Sequence, residues 1–186
     1  MDIETICNQV LDRLGRKRNI GSIWEGTDDA RIFLDMWGTT RDELLMLRKP
    51  QWAIKDAVLT VTKTAPFGGY SLVQPWSASY PPFPWLYEYQ FPADGIYPEQ
   101  VKSVTLGIPV WRPRPIPFRY FTDGEQQTIL TNEANAILAY VYVVLDPNLW
   151  SPEFRELMVQ ALVQKFPHPE AQQRERQPNA PSDNPR

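Results

Sequence analysis

Proline is concentrated in one window of this chain, and that window limits the regular structure the chain can form. Ten of the nineteen prolines lie between residues 75 and 117 of the 186. Proline donates no backbone hydrogen bond, so it stays out of sheet interiors. Nine large aromatic side chains share the window. We therefore predict extended loops here, with one strand at 86–91 and another at 101–106.

Three stretches outside this window have the apolar spacing of amphipathic helices. Residues 3–14 place their apolar side chains on one face, which predicts the first helix. A second helix is predicted to begin at Thr27 or the next residue, with a bend or break possible at Gly38 because glycine weakens a helix interior. A third is predicted to open with Ser151 as its N-cap and to end at Pro167.

Strand patterns lie between the second and third helices. Residues 118–131 predict a hairpin with Asp123 and Gly124 at its turn. The apolar run 136–145 is the most strand-like in the chain, whereas residues 53–62 are compatible with a short helix or a strand. Helical patterns therefore flank one run of strand patterns, which is typical of an α+β fold.

The predicted fold class is α+β: a helical bundle with a small antiparallel β-region and an extended C-terminal arm. The helical body comprises residues 1–60 and 146–166, and the β-region with its proline- and aromatic-rich loops comprises residues 61–145. The arm, residues 167–186, contains five prolines and no large apolar side chain. Such a segment cannot order itself by burying its own surface, so we expect a partner to hold it.

Charge and composition exclude several classes of protein. The net charge of −3 argues against broad coating of nucleic acid. One cysteine permits no intrachain disulfide, and the N-terminal residues MDIETICNQV lack the basic and apolar regions of a signal peptide. No window is apolar enough to span a membrane. We therefore expect a soluble protein made in a cytoplasm.

Few residues offer a catalytic constellation. The only histidine, His168, lies in the polar tail, so a histidine-based triad or metal site is not available. A carboxylate pair of the kind that hydrolyses glycosides remains. Its candidates are Glu88, Asp94, Glu99, Asp123 and Glu125.

Two of these candidates precede a glycine. In Tyr87–Pro98, YEYQFPADGIYP, Asp94 follows an aromatic strand pattern and comes directly before Gly95. Asp-Gly is typical of turns, because aspartate bonds its own backbone. We therefore expect no catalytic, cofactor-binding or metal site and no cofactor. A glycan hydrolase or a carbohydrate-binding module stays the alternative, since aromatic side chains also stack on sugars.

Four segments, in this order, resemble one protein family. They are ICNQVLDRLGRKRNIGSI, TTRDELLMLRKPQWAI, YEYQFPADGIYPEQV and YVYVVLDPNLWSPEFRELMVQALVQK. Together they resemble the head-to-tail adaptor (connector) proteins of short-tailed bacteriophages, the tail tubular protein A family. The resemblance extends over residues 3–166.

The resemblance implies a structural virion protein rather than an enzyme. Such adaptors form a ring of self-associated copies, usually about twelve, below the portal protein of a filled capsid. They complete the head, line the channel through which DNA leaves, and offer a platform to tail nozzle or fibre proteins. DNA passes without sequence-specific binding, and no membrane is involved. The location implied is the neck of the virion, assembled in the host bacterial cytoplasm; a tail-associated cell-wall glycan hydrolase is the alternative.

The adaptor role that the resemblance implies suggests functions for the C-terminal arm and for the aromatic residues. As an extended arm on the portal, residues 167–186 would bind through Pro167, His168, Arg174, Arg176 and Arg186. Buried aromatics often dominate protein interfaces. Packing in the protein's own core is an equally weighted interpretation of the aromatic candidates. The candidates for contacts with a neighbouring subunit or the tail are Tyr80, Trp85, Trp111 and Phe118.

Overall fold

The computed structural model describes residues 2–71, 77–103, 115–124 and 126–167. Within these ranges the chain forms three α-helices and two antiparallel sheets, an α+β fold. The helices are α1 (Ile3–Arg13), α2 (Asp28–Arg48) and α3 (Pro152–Lys165). The strands are β1 (Ile54–Val58), β2 (Val61–Thr64), β3 (Tyr87–Gln90), β4 (Gly95–Ser103), β5 (Phe118–Asp123), β6 (Gln126–Thr131) and β7 (Ala136–Tyr142).

The chain divides into two compact units. The helical unit contains the described residues up to Arg41 and those from Asp146 onward, and the β unit contains Asp42–Leu145. The first boundary lies within α2, whereas the sequence placed the end of the helical body at residue 60. The sequence was compatible with a short helix or a strand at residues 53–62. The structure shows that they contain β1, which belongs to the sheet whose central strand is β7.

The helical unit is held by capped helices with one apolar face each. Asp2 caps α1 by accepting a hydrogen bond from the Thr5 amide at 2.9 Å, and Ser151 caps α3 as predicted. The buried face of α1 includes Cys7, whose thiol pKa burial raises to about 12. Arg13 forms a bidentate ion pair with Glu156 at 2.8 Å, which joins α1 to α3.

The β unit buries its core between its two sheets. Their strand orders are β1-β7-β4 and β2-β3-β6-β5. Alternate side chains of β7, among them Leu138 and Tyr140, share one buried cluster with Tyr89 of β3 and Ile129 of β6. Because successive side chains of a strand point to opposite faces of the sheet, one face of each sheet packs into this cluster.

Most local predictions are confirmed, and the exceptions have physical reasons. The three helices, the hairpin of β5 and β6, and strand β7 lie where the sequence placed them. Helix α2 runs without a break through Gly38. The strand predicted at 101–106 begins earlier, at Gly95, and its last three predicted residues lie outside the described ranges. The strand can include Pro98 because β4 is an edge strand and its register shifts between Pro98 and Gln100, both of which are settings that tolerate proline.

Replacing glycine by alanine should change the stability in opposite directions at Gly38 and at Gly95. A Cβ at Gly38 meets nothing within 4 Å, so Gly38→Ala should stabilise the protein by about 0.5–1 kcal/mol by improving helix propensity. A Cβ at Gly95 would lie 2.5 Å from the ring of Phe91, so Gly95→Ala should cost about 1–3 kcal/mol. Chemical denaturation followed by circular dichroism measures both. Equal effects of the two changes would contradict the packing at Gly95.

Candidate interaction surface

The connection between β2 and β3 is built around one tyrosine. We call its described residues, 65–71 and 77–86, the aromatic lobe. The Tyr70 hydroxyl donates to the carbonyl of Pro81 at 2.5 Å and lies 3.4 Å from that of Trp85. Its ring meets Tyr80 and Phe83 edge-on, with centroids 6.3 and 5.6 Å apart. These contacts hold the two ends of the lobe together.

The two ends of the lobe are bonded to each other and to Asn132, the residue after β6. The Ala65 amide donates to the Leu86 carbonyl at 2.8 Å, and the Leu86 amide donates to the Asn132 side chain at 2.8 Å. A turn at its start is closed by the Gly69 amide, which donates to the Pro66 carbonyl at 2.9 Å. Gly68 and Gly69 both have positive φ there, a conformation that glycine adopts without strain.

The lobe exposes two large apolar side chains. Phe67, in the turn, is fully exposed, and Phe83 is 70% exposed. Burying such a side chain is worth about 1.5–3 kcal/mol, so leaving both in water forgoes a substantial stabilisation. Exposed apolar side chains on a bonded framework are typical of a surface that another molecule covers.

The predicted interface residues lie in different environments. Tyr80 and Trp85 are half-buried within the lobe, and Phe118 packs against the core of the β unit. Trp111 lies outside the described residues. Phe67 and Phe83 were not among the predicted interface residues. The Pro-Phe-Gly-Gly pattern at 66–69 is typical of a turn, but it does not show which side chain the turn exposes.

The predicted portal-binding residues lie mostly beyond the described ranges. Pro167 is half-buried and lines a groove of the helical unit, whereas His168, Arg174, Arg176 and Arg186 lie outside the described residues.

Asp94 lies at a junction of three strands rather than in a cleft. Its backbone carbonyl accepts from the Val143 amide at 3.0 Å, and its carboxylate accepts from the Tyr140 hydroxyl at 3.0 Å. The same carboxylate pairs with Lys55 of β1. The Lys55 ion pair, reinforced by Tyr140, holds the pKa of Asp94 below its ordinary value.

The other acidic candidates that are described also lie beside lysines. Glu88 is buried and lies 3.4 Å from Lys63, and Glu99 pairs with Lys49 at 2.8 Å. The side chain of Asp123 and residue Glu125 lie outside the described part. A catalytic general acid needs a raised pKa, the opposite of what Lys55 produces at Asp94. Among the described residues, no group of three or more His, Cys, Asp or Glu is placed to hold a metal ion.

Comparison with known proteins assigns no family. No family model matches the chain, and no curated protein matches it significantly. None of the described helices is both long and apolar enough to cross a lipid bilayer. Any functional assignment therefore depends on the surface described above and on the order of the sequence motifs.

The Asp94 junction makes a testable prediction about stability. Asp94→Ala removes the acceptor of the Tyr140 hydroxyl and should cost about 1–2 kcal/mol, whereas Asp94→Asn keeps an acceptor and should cost less. The Lys55 pair adds little because both side chains are about half exposed. Denaturant titrations of the two variants measure the difference. Equal losses would show that the hydroxyl bond contributes nothing.

The pH dependence of that junction follows from the lowered pKa. A carboxyl group whose pKa is lowered by folding stabilises the protein at pH values above its ordinary pKa of 3.8. That stabilisation is lost as the pH falls through the pKa of the folded state. The stability difference between the wild type and Asp94→Asn should therefore shrink below about pH 4. Denaturant titrations at several pH values check this, and a difference that grows toward acid would contradict it.

Proposed function

We propose that this chain is a head-to-tail adaptor of a short-tailed bacteriophage, a structural virion protein that forms a ring between portal and tail. In this role it completes the head and lines the DNA exit channel. The observation that carries the proposal is the aromatic lobe, which exposes Phe67 and Phe83 on a framework fixed by Tyr70. The ordered resemblance of four sequence segments supports the same role.

A surface of this kind suits a protein that works only when assembled. Loop ordering on binding costs free energy, and a loop already held by hydrogen bonds avoids much of that cost. Two phenylalanines that become buried then supply apolar contact in a partner's pocket. We assign the lobe to contact with tail nozzle or fibre proteins or with the neighbouring subunit of the ring.

The remaining parts of the chain take complementary roles in this proposal. The three helices act as a bundle that forms the rigid body. The C-terminal arm, from Pro167 onward, docks on the portal protein through His168 and its arginines. The net charge of −3 suits a channel wall that lets DNA pass without gripping it.

Mixing the chain with its portal tests the proposal directly. At micromolar concentration the chain should be monomeric alone and form rings on the portal, visible by electron microscopy. Removing residues 167–186 should leave the circular dichroism spectrum intact but weaken portal docking. Rings that form equally well without these residues would contradict the role of the arm, and no rings with the full chain would contradict the adaptor.

The lobe has its own test within the same assembly. Phe67→Ser with Phe83→Ser should leave the fold and portal docking intact but abolish recruitment of tail protein or closure of the ring. Leu149→Ser is the matched control, because it removes an exposed apolar side chain of the helical unit. Tail recruitment and ring closure that both survive the double substitution would remove the lobe from the proposal.

An enzymatic role predicts a different result. A tail-associated glycan hydrolase should clear peptidoglycan as a purified chain and lose that activity in Asp94→Asn and Glu99→Gln variants. The adaptor predicts no clearing by any of them. Clearing that depends on these two acids would replace the structural assignment with the enzymatic one.

A further inference from the structure

A second, independent surface lies in the helical unit, on the loop between α1 and α2. We call residues 20–27 the Trp24 loop. At its start, the Asn8 side chain bonds both backbone groups of Ile20, accepting from its amide at 2.8 Å and donating to its carbonyl at 3.0 Å. The Glu25 carboxylate then accepts from the amides of Gly21 at 2.7 Å and Ser22 at 3.2 Å.

The same bonding pattern continues to the first turn of α2. The Thr27 hydroxyl donates to the Glu25 carboxylate at 2.8 Å. This bond, together with those from the Gly21 and Ser22 amides, lowers the pKa of Glu25. The Trp24 amide donates to the Ser22 hydroxyl at 3.2 Å. Ile23 is buried beneath the loop. The backbone on both sides of Trp24 is therefore fixed without help from the indole.

Trp24 itself is 75% exposed. Tryptophan buries about 150–250 Å² when it is covered, and it is among the residues most enriched at interface hot spots. A loop that fixes its backbone by polar bonds and leaves its largest apolar side chain in water is preorganised to insert that side chain elsewhere.

A receptor of suitable chemistry exists in the same unit. A groove of about 850 Å³ lies against the segment after α1, the start of α2 and the end of α3, and Trp24 is not among its walls. Its apolar walls include Leu14, Ile20, Ile32 and Phe166. Its charged walls are basic at Arg16, Lys17 and Arg18 and acidic at Glu25, Asp28 and Asp29.

The groove already holds one cation over an aromatic ring. The Arg16 guanidinium lies 4.7 Å from the centroid of Phe166 and is fixed there by its ion pair with Asp29. Lys17 and Arg18 are exposed beside it. A second aromatic ring in the groove would therefore meet apolar side chains and exposed cationic groups, and cations over an aromatic ring stabilise it.

We propose that the Trp24 loop of one copy of this chain inserts its indole into this groove of a second copy. The groove borders the Trp24 loop, because Ile20, Glu25 and Thr27 of the loop line it, and each copy offers one indole and one groove. The preorganised indole supplies apolar area, and Lys17 and Arg18 supply cation–π attraction.

The size of the contact sets its strength. One indole covers far less than the roughly 800 Å² per partner of a stable interface, so isolated copies should associate only near millimolar concentration. Copies held side by side reach effective concentrations in about that range. In the setting of a portal-bound ring, which rests on the function proposed above, the same contact would join neighbours.

Complementation between two variants tests the contact with the full-length protein alone. The wild type should show concentration-dependent association in sedimentation up to about 1 mM. Trp24→Ala, which keeps the groove, and Ile32→Glu, which keeps the indole, should each weaken association by about tenfold or more. An equimolar mixture should recover 1:1 pairs and nothing larger, because one intact indole–groove contact remains. Leu149→Ala is the control and should associate like the wild type.

Several outcomes would overturn the contact. A wild type that stays monomeric at about 1 mM, a Trp24→Ala variant that associates normally, or a mixture that recovers nothing would each do so. Lys17→Glu with Arg18→Glu replaces Ile32→Glu as the groove variant if the latter loses its circular dichroism spectrum. If only a chain ending at Pro167 associates, the C-terminal segment occupies the groove and the contact fails for the whole protein. Because no portal is present, these results are independent of whether rings form on one.

Discussion

Strand β7 is the element on which the β unit depends. It is hydrogen-bonded to β1 on one side and to β4 on the other, so it joins a strand that follows α2 to a strand that follows the aromatic lobe. Leu138 and Tyr140 enter the core between the sheets, and Val141, which points to the opposite face, is also buried. The Tyr140 hydroxyl extends this support to Asp94, where β4 begins.

That framework separates two populations of aromatic side chains. Tyr89, Phe91 and Tyr140 are buried between the sheets, where their rings and their polar tips have partners. Phe67 and Phe83 lie on a lobe whose backbone is fixed by Tyr70, outside this core. A protein that works as a ring subunit needs both, because a rigid core positions the side chains that a partner will cover. The adaptor role proposed here accounts for this division.

The sequence predicted the elements whose signals are local. The helix caps, the Asp123-Gly124 hairpin and the apolar run of β7 each follow from residues within a few positions of one another. The start of β4 was missed because Pro98 argues against a central strand, and only the strand order shows that β4 is at an edge. Phe118 was a candidate for an interface or for the core, and in the strand paired with β6 it packs against the core of the β unit. The six polar bonds that fix the Trp24 loop, two of them with Asn8, have no recognisable sequence pattern.

At Asp94, the local sequence and the tertiary structure explain different properties of the same residue. The sequence by itself determined that Asp94-Gly95 ends a strand and makes a turn, because an aspartate before a glycine favours that geometry over a few residues. Only the tertiary structure decided what the carboxylate does there. Its partners Lys55 and Tyr140 are 39 and 46 residues away, and they meet it because β1 and β4 flank β7 in one register. Backbone preferences act over neighbouring residues, whereas an ion pair across a sheet depends on which strands pair.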